Sequence, residues 1–270
     1  IDIDSEGNVY IADQDNHSIR KISKDGTVST IAGDGILGLE DGTGSEARFY
    51  KPQDVAVAND GTLFVADTLN HVIRRISTDG QVTTLNAPSN RVVEVIAGDV
   101  VPAGDYADGK LSDAKFNEPT SIAIDNKGNL YVSDTGNHVI RYIDFAKGTV
   151  STVAGVPVLS EGALYGEGGY ADGDSSEARF FAPRGITLTD EGGLVIADSL
   201  NHTVRYLLNG KVSTIAGVPA QLGNVDGING HNLLHSPSDV AVLPDGSLLI
   251  ADSYNNKIRK LDFYELPNNL

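Results

Sequence analysis

The sequence predicts an all-β fold in which units of four antiparallel strands recur along a single domain, residues 1–270. Three observations support this prediction. A twelve-residue motif occurs five times. Short runs in which apolar and polar residues alternate lie beside the copies, as expected for half-buried strands. The 30 Gly and 10 Pro residues supply the turns that many short strands require.

The repeated motif holds the second and third predicted strands of each unit. Its copies are IADQDNHSIRKI (11–22), VADTLNHVIRRI (65–76), VSDTGNHVIRYI (132–143), IADSLNHTVRYL (196–207) and IADSYNNKIRKL (250–261). The aligned acids are Asp13, Asp67, Asp134, Asp198 and Asp252, and the aligned bases are Arg20, Arg74, Arg141, Arg205 and Arg259. A protein needs an active site only once, so a set of residues that recurs five times indicates a structural role in each repeat.

Turn chemistry accounts for this set of residues. Asp and Asn bond neighbouring backbone groups and tolerate left-handed conformations. The Arg, seven residues after the Asp, is predicted to return across the hairpin or to the next repeat as a charge-assisted partner. The fifth copy has Asn256 where the others have His, which suggests that the His is replaceable. The four His residues are His17, His71, His138 and His202.

Residues 119–155 show the predicted strands of one unit in order. PTSIAIDNKG gives a first strand with Ile122 and Ile124 apolar, and NLYVSD gives a second in which Leu130 and Val132 alternate. HVIRYI gives a third and GTVSTVAG a fourth, which recurs at 27–33, 81–87 (altered) and 211–217. The Asp of the motif recurs at spacings of 54, 67, 64 and 54 residues. Four short strands at this period are typical of β-propeller blades.

The xADxxNHxIRxI and VSTIAG segments resemble those of the NHL-repeat family, in particular its secreted bacterial members, over nearly the whole chain. The resemblance implies a closed propeller with an axial channel and loops on two faces. Five blades are visible, and six remain an alternative if the parent chain extends. LDFYELPNNL stands where a last VSTIAG should follow. We therefore expect a closing strand upstream of Ile1, without which blade five has three strands and an open edge.

A second motif of twelve residues runs from Asp to Pro, at 41–52, 108–119, 172–183 and 226–237. Its Asp-Gly pair predicts a turn, and one helical turn then places a Phe in a hydrophobic seat. The Phe residues are Phe49, Phe116 and Phe180. We interpret the acids of the motif as turn caps. Calcium ligands are the alternative for them, although no EF-hand loop occurs. These acids are Asp41, Asp108, Asp172 and Asp226.

The fourth copy of this second motif departs from the pattern. His231 replaces a Glu or Asp, and His235 lies four residues later. If the segment is helical, the two side chains share a face and are weak candidates for a zinc site. A third protein ligand is normal in catalytic zinc sites, so no metal site is firmly predicted. No cofactor is expected, with structural calcium, including an axial ion held by backbone carbonyls, as the open alternative.

Two insertions break the repeat. Ala66 and Gly98 are 32 residues apart, against 21, 22 and 20 in the equivalent intervals, and the extra residues lie around 86–95. Gly155 and Asp172 are 17 residues apart, against 8, 10 and 9 elsewhere. Loops on a rigid scaffold often carry binding, and exposed Tyr is a favoured contact residue.

The second insertion, residues 156–171, supplies the candidate binding residues. A neutral surface insertion is the alternative for this loop. We expect substitution of its two Tyr residues to weaken a partner without changing stability. The candidates are Leu159, Leu164, Tyr165 and Tyr170.

Composition narrows the possible functions. The net charge of −17 and the pI near 4.5 disfavour nucleic acid and anionic membranes. The chain has no Cys, and no apolar run approaches the roughly 20 residues that span a bilayer. Neither a Gly-x-Ser-x-Gly elbow nor an HExxH motif occurs, and no catalytic residue is predicted.

We therefore predict a non-enzymatic binding or scaffold propeller. It would present loops to a protein or polysaccharide, as part of a larger bacterial protein that is secreted or on the cell surface. The resemblance also leaves an alternative, a metal-dependent lyase or lactonase-like propeller enzyme.

Overall fold

The computed structural model describes residues 1–96 and 99–262. Its strands form successive antiparallel sheets, and the first strands of neighbouring sheets pack side by side. The predicted all-β propeller with five blades is thereby confirmed. Within the described ranges, the helices are 3₁₀ helices of three residues each. None of them is long or apolar enough to cross a membrane.

The blades follow one another along the chain. Blade one contains β1 to β4, which span Asp2–Ile3, Val9–Asp13, Ser18–Ile22 and Val28–Ala32. Blade two contains β5 to β9, which span Gly42–Thr43, Pro52–Val57, Leu63–Asp67, Val72–Ile76 and Gln81–Thr84. A separate hairpin follows, formed by β10 (Arg91–Ile96) and β11 (Asp99–Ala103).

Three further blades complete the described chain. Blade three contains β12 to β16, which span Gly109–Lys110, Pro119–Ile124, Leu130–Asp134, Val139–Asp144 and Thr149–Ala154. Blade four contains β17 to β21, which span Gly173–Asp174, Pro183–Leu188, Leu194–Asp198, Thr203–Leu208 and Lys211–Ala216. Blade five contains β22 to β24, which span Pro237–Val242, Leu248–Asp252 and Lys257–Leu261.

Blades two, three and four have five strands each, one more than predicted. The extra strand is a two-residue outer strand, β5, β12 or β17, which pairs with the fourth long strand of the same sheet. The second motif therefore completes the outer edge of a blade and does not merely connect blades. The described part of blade five has three strands, and the expected position of its fourth falls largely on 263–270, outside the described residues. Gly98, used above to measure the first insertion, also lies outside them.

The hydrophobic core lies between neighbouring blades. One cluster joins Phe64 and Ile73 of blade two to Ile122, Leu130 and Val132 of blade three. A similar cluster joins blades one and two, and others join blades three to four and four to five. Each buried side chain of this size contributes about 1.5–3 kcal/mol. Blade packing rather than any helix thus stabilises the fold.

The innermost strands of the blades line an axial cavity of about 660 Å³. The third residue of β6, β13, β18 and β22 is Asp54, Ser121, Gly185 and Asp239, respectively. Asp54 Oδ2 accepts bonds from Ser121 Oγ and the Ile122 amide, both at 2.9 Å. Burial raises the pKa of Asp54 and of Asp239. The Asp54 carboxylate thus ties two neighbouring inner strands together.

Candidate functional site

A 3₁₀ helix of three residues forms the corner between the second and third long strands of each blade. The residue that follows each of these helices is left-handed, with φ between 50° and 58°. This left-handed residue is the His of the motif, or Asn256 in the fifth copy. The sequence predicts this conformation for the Asp and the first Asn, and the structure does not place it there. Asn and His are both enriched in this conformation, which explains how Asn256 replaces His. The five helices span Gln14–Asn16, Thr68–Asn70, Thr135–Asn137, Ser199–Asn201 and Ser253–Asn255.

Each corner His links its blade to the next one. Its Nδ1 accepts a hydrogen bond from the backbone amide of the residue that precedes the Pro of the following inner strand. Among the described residues no blade follows Asn256, so the fifth copy has no such amide to bind. The four pairs are His17–Lys51 at 3.2 Å, His71–Glu118 at 3.0 Å, His138–Ala182 at 3.0 Å and His202–Ser236 at 3.1 Å.

These bonds require a neutral imidazole, because an Nδ1 that accepts carries no proton. Burial, together with the nearby Arg91 charge, lowers the pKa of His71 to about 4. Burial also lowers the pKa of His138 and of His202. His138 additionally donates its Nε2 proton to the Gly166 carbonyl at 3.0 Å. The repeated His residues are therefore structural groups whose Nδ1 atoms are occupied.

The Arg of the motif is the centre of the polar network in blades two to five. Arg141 is fully buried, and its Nη1 bonds Asp134 at 2.7 Å across the hairpin, which confirms the predicted pairing. Its Nη2 bonds Asp108 of the second motif at 2.6 Å. The same two-acid arrangement surrounds Arg74 and Arg205. Burial raises the pKa of Asp67 and Asp198 to about 6, opposed by the paired Arg.

The acids of the second motif do not cap turns, contrary to the interpretation above. Asp108 accepts bonds from Arg141 and from the amide of Thr152 on the fourth long strand, the latter at 3.0 Å. Asp41, Asp172 and Asp226 likewise pair with an Arg at 2.9, 2.6 and 2.6 Å. A guanidinium beside each carboxylate disfavours a calcium ion there, because like charges repel.

The Phe residues of the second motif occupy the predicted hydrophobic seats. Phe49, Phe116 and Phe180 are buried. Each ring faces a guanidinium, with the Arg Cζ 4.9, 4.8 and 5.1 Å from the ring centroid. Tyr106 and Tyr170 cover the guanidinium groups of Arg141 and Arg205 at 4.7 and 4.6 Å. The buried cation is thus enclosed by aromatic faces, which attract it.

The two insertions meet on one face of the propeller. β16 runs antiparallel to β15, so the loop that follows β16 emerges on the face that carries the corners. Arg91 at the base of the β10–β11 hairpin donates hydrogen bonds to the Gly104 carbonyl and to the Ala163 carbonyl of the 156–171 loop. The hairpin that follows blade two and the loop that follows blade three are therefore joined.

The 156–171 loop is anchored to blade three by its backbone. Asn117 Nδ2 donates to the Leu164 carbonyl at 2.7 Å, and the Gly166 amide donates to the Gly136 carbonyl at 2.7 Å. The backbone of Gly168 lies against the Phe181 ring so closely that a Cβ at this position would overlap it. The loop is held in one conformation by these contacts.

We define the insertion platform as Val92, Tyr165 and Phe181 with Arg91 and Glu118 beside them. The three apolar side chains are exposed to 61%, 48% and 39%. The Tyr165 hydroxyl donates to Glu118 at 3.0 Å, and burial raises the pKa of Glu118. The platform covers the corner of blade three and combines an apolar surface with both signs of charge.

The predicted binding residues have different environments. Tyr165 belongs to the platform, and Leu159 and Leu164 are half-buried within the loop. The Tyr170 hydroxyl bonds Asp172 at 2.9 Å and Thr214 at 2.8 Å, while its ring covers Arg205. The expectation that blades do not depend on Tyr170 is therefore wrong. The repeated sequence YADG, at 106–109 and 170–173, is the signal that could have shown this.

The weak zinc candidates do not share a helical face. Residues 229–231 form a turn, and Val225 and Leu233 are bridged as in a short ladder. The His235 ring packs between His202 and Tyr254, with centroids 5.5 and 5.0 Å away, whereas His231 is exposed. The part of the chain that the structure describes has no group of three or more His, Asp or Glu side chains placed to hold a metal ion.

Comparison with known proteins identifies the repeat. The NHL repeat model matches residues 49–76, 116–141 and 234–261. The chain is a β-propeller that carries NHL repeats. NHL repeat-containing protein 2 of Bos taurus is 29% identical over 285 residues, which cover 94% of this chain and 37% of that protein. Protein SUPPRESSOR OF QUENCHING 1, chloroplastic, of Arabidopsis thaliana is 34% identical over 153 residues, 53% of this chain and 13% of that protein.

These relatives are much longer than this NHL propeller, which spans less than two-fifths of either. Both are eukaryotic, so they give no support to the predicted bacterial source. A chain in the crystal structure of the nidogen/laminin complex superposes with a TM-score of 0.61 at 17% identity, covering 96% of this chain and 73% of that one. At that identity the likeness shows the fold alone.

Four members of the platform were missed by sequence reasoning, among them Val92, which lies beside Arg91 in the first insertion. Arg91 lies within the first insertion but was not singled out, and Phe181 lies inside the second motif one residue after the buried Phe180. Glu118 was overlooked because its position in the second motif is variable: it is occupied by Lys51, Glu118, Ala182 and Ser236 in the four copies. Only the fold brings these residues together.

Proposed function

We propose that this NHL propeller is a non-enzymatic protein-binding module and that its partner docks on the insertion platform. One observation supports this most directly. The two segments that break the repeat are joined by Arg91, and they expose Val92 and Tyr165, while Phe181 is exposed under the second of them. Val92 and Tyr165 lie outside the repeated strands, and a loop that is already anchored loses little conformational entropy on binding.

The chemistry of the platform favours a protein over a polysaccharide. The Tyr165 hydroxyl already donates to Glu118, and Val92 and Phe181 have no polar side-chain atom. An apolar centre with Arg and Glu beside it resembles the composition of protein interfaces. The nidogen/laminin complex, in which a chain with this fold occurs, is an assembly of proteins and is consistent with this choice.

The absence of catalysis is part of the proposal. Four of the six His residues use Nδ1 to bind the next blade. Of the nine acids in the two motifs, all but Asp13 pair with an Arg. The lyase or lactonase-like alternative predicts that purified protein retains stoichiometric zinc or calcium. Elemental analysis that finds such a metal would replace the binding module by an enzyme as the leading proposal. Secretion or cell-surface exposure remains part of the proposed setting.

The test compares platform variants with a matched control. Val92→Asp and Phe181→Ala change the platform, whereas Ile36→Asp changes an equally exposed apolar residue on the loop between blades one and two. Proteins captured from an extract of the producing organism by each immobilised variant would be quantified by mass spectrometry. We expect a partner retained by the wild type and Ile36→Asp and lost by the platform variants.

The captured partner is then purified and its affinity measured. We expect the platform variants to weaken binding at least tenfold, a change of about 1.4 kcal/mol. Equal affinities of all variants for that partner would refute docking on the platform.

A further inference from the structure

A second concave site lies between blades two and three, on the face opposite the corners. It has a volume of about 820 Å³ and is bordered by the turns that join β6 to β7 and β13 to β14. Its apolar walls come from Phe64 and Leu85 of blade two and from Leu111, Ile124 and Phe145 of blade three. The Phe64 and Phe145 rings stack on each other in its wall, with centroids 5.4 Å apart and planes at 25°.

One residue of the repeat explains why this groove is open. Arg75 lies opposite Phe64 on the neighbouring strand, and the equivalent positions in blades three and four hold Tyr142 and Tyr206. Tyr206 is buried in the corresponding space between blades four and five, where the remaining cavity is about 170 Å³. Arg75 is exposed, so this position contributes no ring to the space beside blade two.

The lining of the groove holds two cations and two carboxylates, and the charge of Arg75 also acts on Asp60 and Asp79. Arg75 and Lys127 line it, and within the described residues neither side chain is in an ion pair. The two carboxylates of the groove face their own turns. Asp60 accepts the Thr62 amide at 2.9 Å, and Asp125 accepts the amides of Lys127 and Asn129 and the Tyr142 hydroxyl.

We propose that this groove binds a small amphipathic carboxylate, with an aromatic body against the Phe64 and Phe145 walls and its carboxylate toward Arg75 and Lys127. The volume lies within the range of about 300–1,000 Å³ that ligand pockets occupy. A guanidinium binds a carboxylate through two parallel hydrogen bonds, and an apolar surround strengthens such bonds. This site is separate from the insertion platform, and its failure would leave the proposed protein binding untouched.

The test uses 4-phenylbutyrate and its neutral analogue 4-phenylbutan-1-ol with the whole chain. Titration calorimetry and saturation-transfer NMR measure both ligands. We expect the acid to bind at least tenfold more tightly than the alcohol. Arg75→Gln should remove this difference while the alcohol still binds, and Arg75→Tyr should abolish binding of both ligands, because it adds the ring that blades three and four already have.

Two further variants keep the test decisive. Lys21→Tyr makes the same substitution at the equivalent position of blade one and should leave binding unchanged. Lys127→Gln, at an exposed site, should weaken binding of the acid about threefold without changing binding of the alcohol. This variant tests the proposal if Arg75→Tyr fails to fold. Equal binding of acid and alcohol to the wild type, or unchanged binding of the acid to folded Arg75→Tyr, would overturn the proposal.

Discussion

The imidazole of His71 accepts a hydrogen bond from the backbone amide of Glu118, 3.0 Å away and in the next blade. Glu118 precedes Pro119, the first residue of the inner strand β13. The corner of blade two therefore fixes the position at which blade three begins. Because Glu118 also accepts the Tyr165 hydroxyl, the same residue connects this corner to the insertion platform.

Removal of the His71 bond should lower stability. A net contribution of about 1 kcal/mol is typical for one hydrogen bond, and it is the loss expected for His71→Asn, which keeps a side chain suited to the left-handed backbone. His71→Ala should lose about 1 kcal/mol more, because Ala tolerates positive φ poorly. Urea unfolding of both variants measures these losses. A wild-type midpoint for His71→Asn would show that the bond contributes nothing.

Acid should weaken the His71 contact. The pKa of His71 is about 4 when folded, against 6.5 for an ordinary His. Between these values the unfolded chain binds more protons, so the free energy of unfolding falls as pH decreases from 6.5 to 4. For this group the full loss is about 3 kcal/mol, and it is absent above pH 6.5.

Asp67 acts in the opposite direction, since burial raises its pKa to about 6. The His71 contribution is therefore measured as the stability of the wild type minus that of His71→Asn across this pH range, in which the Asp67 contribution cancels. NMR titration of the imidazole gives the pKa directly. A midpoint near 6.5 would contradict the buried, neutral state.

Loss of a central Arg should be among the costliest single changes in this chain. Arg141→Met leaves Asp134 buried without its counter-charge, a change that typically costs about 3–5 kcal/mol. Arg259→Met is the comparison, because Arg259 is 10% exposed and its second partner Asp226 is 92% exposed, whereas its first partner Asp252 is buried like Asp134. Thermal and urea unfolding should show a smaller loss for Arg259→Met, because water reaches this guanidinium. A wild-type stability of Arg141→Met would contradict the central role of the buried pair.

The two Tyr residues of the 156–171 loop should differ. Tyr170→Ala uncovers Arg205 and removes two hydrogen bonds, so it should lose about 1–2 kcal/mol of stability. Tyr165→Ala should stay within about 0.5 kcal/mol of the wild type, as is usual for exposed positions. Tyr106→Ala, at the equivalent position of blade three, should reproduce the Tyr170 result. Equal stability of the Tyr165 and Tyr170 variants would contradict the structural role of Tyr170.

The repeat made much of the architecture predictable. Strand positions followed from alternation, and the Arg141–Asp134 pair followed from a spacing that places both on facing strands of one hairpin. The link from His71 to Glu118 could not be predicted, because its partner is a backbone amide 47 residues away and any side chain can supply one. The coupling of both motifs through Arg141 was missed for a related reason, since the motifs are separated in sequence and meet only in the folded sheet.

The binding surfaces were less accessible to sequence reasoning. The second insertion was visible as a length difference, but its contact with Arg91 depends on how two irregular segments fold. The groove beside Arg75 exists because blade two lacks the Tyr that blades three and four have at this repeat position. It becomes apparent only when the side chains at one repeat position are compared with the space that each one fills.

In all four His-to-amide bonds the accepting His belongs to the earlier blade and the donating amide to the next one. During synthesis the corner that accepts the bond leaves the ribosome before the amide that donates it. A completed blade can therefore serve as a template on which its successor is aligned, and assembly can proceed from the amino terminus without waiting for the ring to close. Because the bonds share this direction, the most recently synthesised blade is the least constrained one during assembly.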